Sequence, residues 1–203
     1  ENLSGIIQNM VGKAGLSKIM KYKEERLEGE STEGNIKVRT QFDYKSSKYD
    51  KLFSRKELHK YSAKMSNICD IISRSEGIIL VYSQYIDGGI VPMALALEEM
   101  GFARYSSHKK MKSLLKNPGE PVDYASMMPR SSHKGAFAQA KYVMITGDKN
   151  YSRTNEADVR FLNSAENKDG KNIKVVLISK AAAEGIDFKN IRQIHIMDPW
   201  YNM

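Results

Sequence analysis

The chain has 203 residues, with 32 Lys+Arg against 24 Asp+Glu for a formal net charge of +8, 41% hydrophobic residues and 28% charged residues. That size and balance suit one packed core with a small appendage, and they exclude collagen-like, coiled-coil, mucin-like and wholly disordered classes. No apolar run reaches the roughly 18 residues of a membrane helix and no signal-like segment opens the chain, while a lone cysteine, Cys69, can form neither an internal disulfide nor a zinc site.

Residues 1–53 read as an N-terminal extension or linker. Gly5, Gly12 and Gly15 interrupt helical patterning, the segment from Lys13 to Arg26 suggests a short amphipathic helix, and KYKEERLEGESTEG then reads as a solvated loop. From Ser54 the signals sharpen. Ser54 with Glu57 makes a capping-box pattern, and Leu58, Tyr61, Met65, Ile68 and Ile72 follow at helical spacing, predicting a helix that ends near Gly77. Ile78 to Tyr82 is a β-rich apolar run, as in a strand buried on both faces of a parallel sheet. Asp87-Gly88-Gly89 predicts a turn, and Pro92 to Met100 a helix closed by Gly101. Strands are predicted over Tyr142 to Thr146, Ile173 to Ile178 and Ile194 to Met197, with a helix over Thr154 to Asn163. Alternating strands and helices imply βαβ units in a three-layer α/β domain.

Charge is concentrated. Residues 104–149 hold nine Lys+Arg and three Asp+Glu, so +6 of the +8 falls in one loop-rich stretch with Pro118, Pro121 and Pro129. A basic insertion at about 105–140 can follow a phosphate backbone or form a solvated surface loop, and both readings stand.

Parallel α/β sheets place ligands at the carboxyl ends of their strands. Three junctions there carry hydroxyls, glycines and free N–H groups suited to phosphate oxygens: Tyr82-Ser83-Gln84, Thr146-Gly147-Asp148, and Ser179-Lys180 running on to Gly185-Ile186-Asp187. Asp187 adds a carboxylate able to accept from ribose hydroxyls. Glu184 also reads as a surface charge at a helix end, His195 reads as a packed core histidine rather than a ligand, and Trp200 and Tyr201 as a packing anchor. No G-x-x-x-x-G-K-[ST] phosphate loop and no Asp-Glu dipeptide occur in the chain, the nearest piece being Gly12-Lys13-Ala14.

In this order the segments resemble the second RecA-like domain of superfamily 2 helicases and translocases. GIILVYSQY is similar to helicase motif IV, VMITG to the strand that follows it, and KVVLISKAAAEGIDF to motif V. IRQIHIMDPWYNM extends the likeness toward the Swi/Snf-type and poxvirus-type branches, and toward the helicase-like proteins of large cytoplasmic DNA viruses. The resemblance covers residues 54–203. It implies a RecA-like parallel sheet with flanking helices, truncated before motif VI, beside the irregular N-terminal extension and the basic insertion.

The resemblance also implies site roles. Tyr82, Ser83, Gln84, Thr146, Gly147, Ser179 and Lys180 would contact a single-stranded RNA or DNA backbone, and Gly185 and Asp187 would approach ATP. Walker A, Walker B and the arginine finger would lie elsewhere in a longer protein, so this piece alone would bind neither ATP nor Mg2+ and would not hydrolyse ATP. Its partner would be an N-terminal RecA-like domain of the same polypeptide. The start at Glu1 without an initiator Met, and the stop after a strand-like run, agree with a piece of a longer protein. Its expected location is cytoplasmic, in a virion or viral factory, without membrane contact. The alternative class is a non-catalytic RecA-like docking or nucleic-acid-binding module such as a transcription-factor subunit. A third is an unrelated nucleotide-binding α/β domain with Ser179 to Asp187 as its phosphate turn.

Overall fold

Five short segments build the sheet: β3 (Ile78–Ser83), β4 (Ala103–Arg104), β5 (Lys141–Ile145), β6 (Val175–Ser179) and β7 (Ile191–Ile196). They follow a hairpin of β1 (Met20–Leu27) and β2 (Ile36–Tyr44) in the computed structural model, which describes residues 12–27, 36–45, 51–107, 111–152 and 154–199. The sheet order is β4-β5-β6-β3-β7 and every pair is parallel. Flanked by helices, it is an α/β, RecA-like arrangement.

The central strands β3, β5 and β6 are almost wholly apolar because both their faces are covered, whereas the edge strand β7, IRQIHI, alternates. Ile79, Val81, Tyr142, Met144, Val175 and Leu177 join one core cluster, while Ile78, Leu80, Val143, Ile145, Val176 and Ile178 join another. The period-2 alternation therefore separates two cores rather than a core from solvent. On the first face lie α3 (Ala63–Ile72), with Met65, Ile68 and Ile72 buried, and α4 (Val91–Glu99), buried from Val91 through Glu98. The second face is covered by α5 (Asn155–Leu162) and by Ile186 and Phe188 of the loop after β6.

Several elements differ from the sequence expectation. The single helix predicted from Ser54 is two, α2 (Arg55–Leu58) and α3, because Ser62 starts the second by accepting the Met65 N–H at 3.2 Å. Ser54 makes no side-chain cap, and Glu57 pairs instead with Lys60 at 2.7 Å. Before α4 the turn at Asp87-Gly88-Gly89 is a π-helical turn, Ile86–Ile90. Near the N-terminus the helix, α1 (Gly12–Ile19), stops where the chain extends into β1, so the charged run expected to be helix and then loop is strand through Leu27. Residues 28–34 of that run lie outside the described residues, as do Gly5, Trp200 and Tyr201.

The N-terminal segment shares the main core: Leu16 and Ile19 of α1, Met20 and Phe42 of the hairpin, and Leu52 and Phe53 before α2 are buried in the same cluster as α3 and α4. It is stitched to the insertion by Phe42 N–H to the Leu114 carbonyl (2.6 Å), Lys116 N–H to the Phe42 carbonyl (2.9 Å) and a Lys116–Asp43 ion pair (3.2 Å). Glu98 fixes the insertion from beneath. Its fully buried carboxylate accepts the N–H groups of Leu114 (2.8 Å) and Leu115 (2.6 Å) and the Tyr142 hydroxyl (2.7 Å).

Farther on, Asp123 organises a second turn, accepting from the N–H groups of Ala125, Ser126 and Ala138 and from the Ser126 hydroxyl. Burial alone would raise its pKa, but these hydrogen bonds outweigh it and hold the carboxyl below its usual range. Lys174, at the start of β6, reaches the carbonyls of Ser75 (2.8 Å) and Tyr124 (2.6 Å), which holds this part of the insertion against the amino edge of the sheet.

Candidate nucleic-acid and nucleotide interface

Parallel pairing sets Ser83 beside Ser179 in register, and β5 beside β6 through Ile145 and Ile178. Ser83, Thr146 and Ser179 therefore arrive together at one carboxyl edge, with Gly147 N–H donating to Ser179 Oγ at 3.3 Å. Their side chains turn inward: Ser83 is 0% exposed, Thr146 1% and Ser179 1%.

Each hydroxyl secures a turn. Ser83 Oγ donates to Asp198 Oδ1 (2.6 Å) and accepts the Tyr85 N–H (3.1 Å), while Gln84 N–H donates to Asp198 Oδ2 (2.7 Å). Asp198, just beyond β7, thus clamps the end of β3. Gly89 lets the π turn press against that clamp, since a Cβ on it would stand 2.0 Å from Ser83 Oγ. Thr146 Oγ1 donates to the Asp148 carbonyl (3.0 Å), and Thr146 exchanges backbone bonds with Ser152 Oγ. Asn155, at the start of α5, donates to the Thr146 carbonyl at 2.8 Å.

What faces solvent is the rim above these hydroxyls. Tyr85, Gly147, Lys180, Glu184, Gly185 and Asp187 are exposed, while Tyr82 and Gln84 are half-buried. Burial and the nearby Asp198 carboxylate raise the Tyr82 pKa. Lys180 opens the short helix α6 (Lys180–Ala183), which ends before Gly185. Gly185 has φ +75° and nothing within 4 Å of its would-be Cβ, so only its backbone conformation selects glycine. Beyond it, Asn163 at the end of α5 donates to the Asp187 carbonyl (2.8 Å) and accepts the Lys189 N–H (2.8 Å), leaving the Asp187 carboxylate outward. His195 is half-buried on β7 and burial lowers its pKa, as for a packed histidine.

Two residues escaped the sequence reading. Asp198 was visible only as the acid ending the last strand, since its partner Ser83 lies 115 positions away. Tyr85 is passed over because it stands one residue past the Tyr82-Ser83-Gln84 junction, although it closes the GIILVYSQY segment. A cleft lies at the other end of the sheet: a cavity of about 560 Å³ between Glu76, Tyr124, Lys168, Asp169, Lys174 and Arg192. Its charges are mixed, and the ammonium of Lys174 is already spent on two carbonyls.

No protein-family model matches the chain. Among known proteins, the "Termination factor NPH-I homolog" of African swine fever virus is 30% identical over 149 residues, 70% of this chain and 21% of that protein. The chain is a homologue of viral helicase-like proteins. An Acanthamoeba polyphaga mimivirus protein provisionally described as an ATP-dependent RNA helicase is 27% identical over 147 residues, 72% of this chain and 21% of its own length. "Nucleoside triphosphatase I" of Heliothis armigera entomopoxvirus is 47% identical over 49 residues, 24% of this chain and 8% of that protein. The helicase-like chain thus spans about one fifth of the length of the first two of these relatives. No helix among its described residues is long and apolar enough to cross a membrane.

Proposed function

We propose that the helicase-like chain is the C-terminal motor half of an ATP-dependent nucleic-acid helicase or translocase of superfamily 2. The observation that carries this reading is the convergence of Ser83, Thr146 and Ser179 at one edge, with the Gly185–Asp187 loop following from the same strand. In this reading the buried hydroxyls hold the turns, and the groups on the rim do the gripping. Lys180 supplies positive charge to backbone phosphates, while the turns at Gln84 and Gly147 approach the strand closely. Phosphate contacts of this kind carry no base sequence and weaken as salt rises.

Gly185 and Asp187 form one side of a nucleotide cleft, where the outward Asp187 carboxylate accepts from ribose hydroxyls. An N-terminal RecA-like domain supplies the other side, with the phosphate loop this sequence lacks. The metal-binding acid is assigned to that other half as well, since no Asp-Glu dipeptide occurs in this sequence. ATP bound between the halves would supply the free energy for their closure. Closing then shifts the rim that carries Lys180 and Gly147 relative to the other half, which advances the strand. Alone, the piece is inactive in hydrolysis.

In the intact protein, Asp187→Ala should raise KM for ATP about tenfold, the worth of a hydrogen bond to a charged group, with the melting temperature unchanged. Unchanged steady-state kinetics would remove the assignment. An intact protein with no nucleic-acid-stimulated ATP turnover would favour the docking module instead.

A further inference from the structure

Among the described residues one aromatic side chain stands out at the surface: Tyr85, 44% exposed, whereas every other described aromatic is buried or half-buried. It sits on a fixed backbone. Its N–H is held by Ser83 Oγ (3.1 Å), itself held by Asp198 (2.6 Å), and its carbonyl accepts the Ile90 N–H (3.0 Å) as the π turn begins. Gly89 closes against Ser83 from the other side, so the platform has little room to shift. π turns are uncommon and recur at functional sites. Here the turn follows the exposed ring directly.

The neighbours point to the ligand. Ser83 and Ser179 are paired, so Tyr85 and the exposed Lys180 leave adjacent strands at the same edge, with the exposed Gly147 turn next along. An exposed aromatic ring on a fixed backbone, at the same sheet edge as a cation and an open backbone turn, suits single-stranded nucleic acid: the ring stacks on a base while the charge meets a phosphate. A duplex keeps its base faces covered and cannot offer one to the ring.

We propose that Tyr85 is a base-stacking residue that takes the face of an unpaired nucleobase in single-stranded RNA or DNA, with the adjoining phosphates along Lys180 and Gly147. The inference rests on the reading of this edge as the nucleic-acid site and adds the unpaired base as the feature recognised. It makes binding selective for single strands without making it selective for sequence, because every base has a π face.

The test is a fluorescence-anisotropy titration of the 203-residue chain with short oligo(dT), oligo(U), an abasic oligonucleotide and a duplex of equal length. Tyr85→Ala should weaken binding to oligo(dT), oligo(U) or both by roughly 5- to 100-fold, while Tyr85→Phe stays near wild type. The dependence on log salt should keep its slope, since no phosphate contact is lost. On the abasic strand, wild type and Tyr85→Ala should bind alike. Equal binding of the base-bearing strands by wild type and Tyr85→Ala overturns the stacking role and leaves the nucleic-acid reading intact. The same alanine penalty on the duplex or the abasic strand also overturns it, as does ATP displacing the oligonucleotide from wild type but not from Tyr85→Ala. No binding of any oligonucleotide by wild type at low salt sinks the underlying reading. Circular-dichroism melts of each variant exclude unfolding as the cause, which the surface position of the ring makes easy to satisfy.

Discussion

Glu98 is a carboxylate removed from water near the carboxyl end of α4, after the apolar run from Val91 to Leu97. Desolvation raises its pKa above the ordinary 4.5, and the bonds from Leu115, Tyr142 and Leu114 together with the charge of Arg104 recover only part of that cost. A raised folded-state pKa means that the folded chain holds the proton more tightly than the unfolded chain. The contribution of Glu98 to stability is therefore complete below about pH 4.5 and fades as pH rises through the raised value. Urea unfolding of wild type and Glu98→Gln across pH 4 to 8 should show a wild-type advantage that shrinks with rising pH. A difference independent of pH would mean that Glu98 titrates normally. Nothing in the run MALALEEM says which of its two acids is buried; that is set by Tyr142 and the Leu114–Leu115 backbone arriving from elsewhere in the chain.

Two glycines in the carboxyl-edge turns differ in what they require. Gly185 needs only its left-handed φ of +75°, with open space around it, so Gly185→Ala should cost about 1–2 kcal/mol. At Gly89 a methyl group would meet Ser83 Oγ at 2.0 Å and Cβ at 2.7 Å. Gly89→Ala should therefore break the Ser83–Asp198 clamp and cost about 2–4 kcal/mol, by overpacking plus the lost bond to a carboxylate. Thermal melts of the two variants, compared with Asp198→Ala, check the ordering; equal shifts for both glycines would mean that the π turn yields freely. The central strands β3, β5 and β6 were legible from their apolar runs, because burial on both faces leaves few polar positions in them. β1 was not, since MKYKEERL has the charge of a solvated segment, and only pairing with β2 reveals it as a strand. At two residues β4 is too short for any period to register.

Across the whole molecule the two sheet faces are unequally covered. Where α3, α4 and the hairpin pack, the cover is complete, but on the other face α5 stops short of the edge strand β7, where Ile194 is 63% exposed and Ile196 56%. An apolar edge of this kind promotes self-association at high concentration. Ile194→Thr with Ile196→Thr should change stability by about 0.5 kcal/mol or less, as surface substitutions do, and should reduce light scattering in concentrated samples. A melting temperature several degrees lower would show instead that these side chains are packed in solution.

The amino-acid order by itself determined the alternation of β3, β5, β6 and β7 with helices, the hydroxyls and glycines at strand ends, and the lack of a phosphate loop, because each is written in local periodicity or in a contiguous motif. Tertiary structure decided the order β4-β5-β6-β3-β7, the inward turn of Ser83, Thr146 and Ser179, and the seating of the Asp123 turn at the amino edge. Those outcomes depend on partners such as Asp198 for Ser83 and Tyr124 for Lys174. A hydrogen bond between residues far apart in the chain leaves no periodic trace in either segment, so it becomes visible only when the sheet has brought them together.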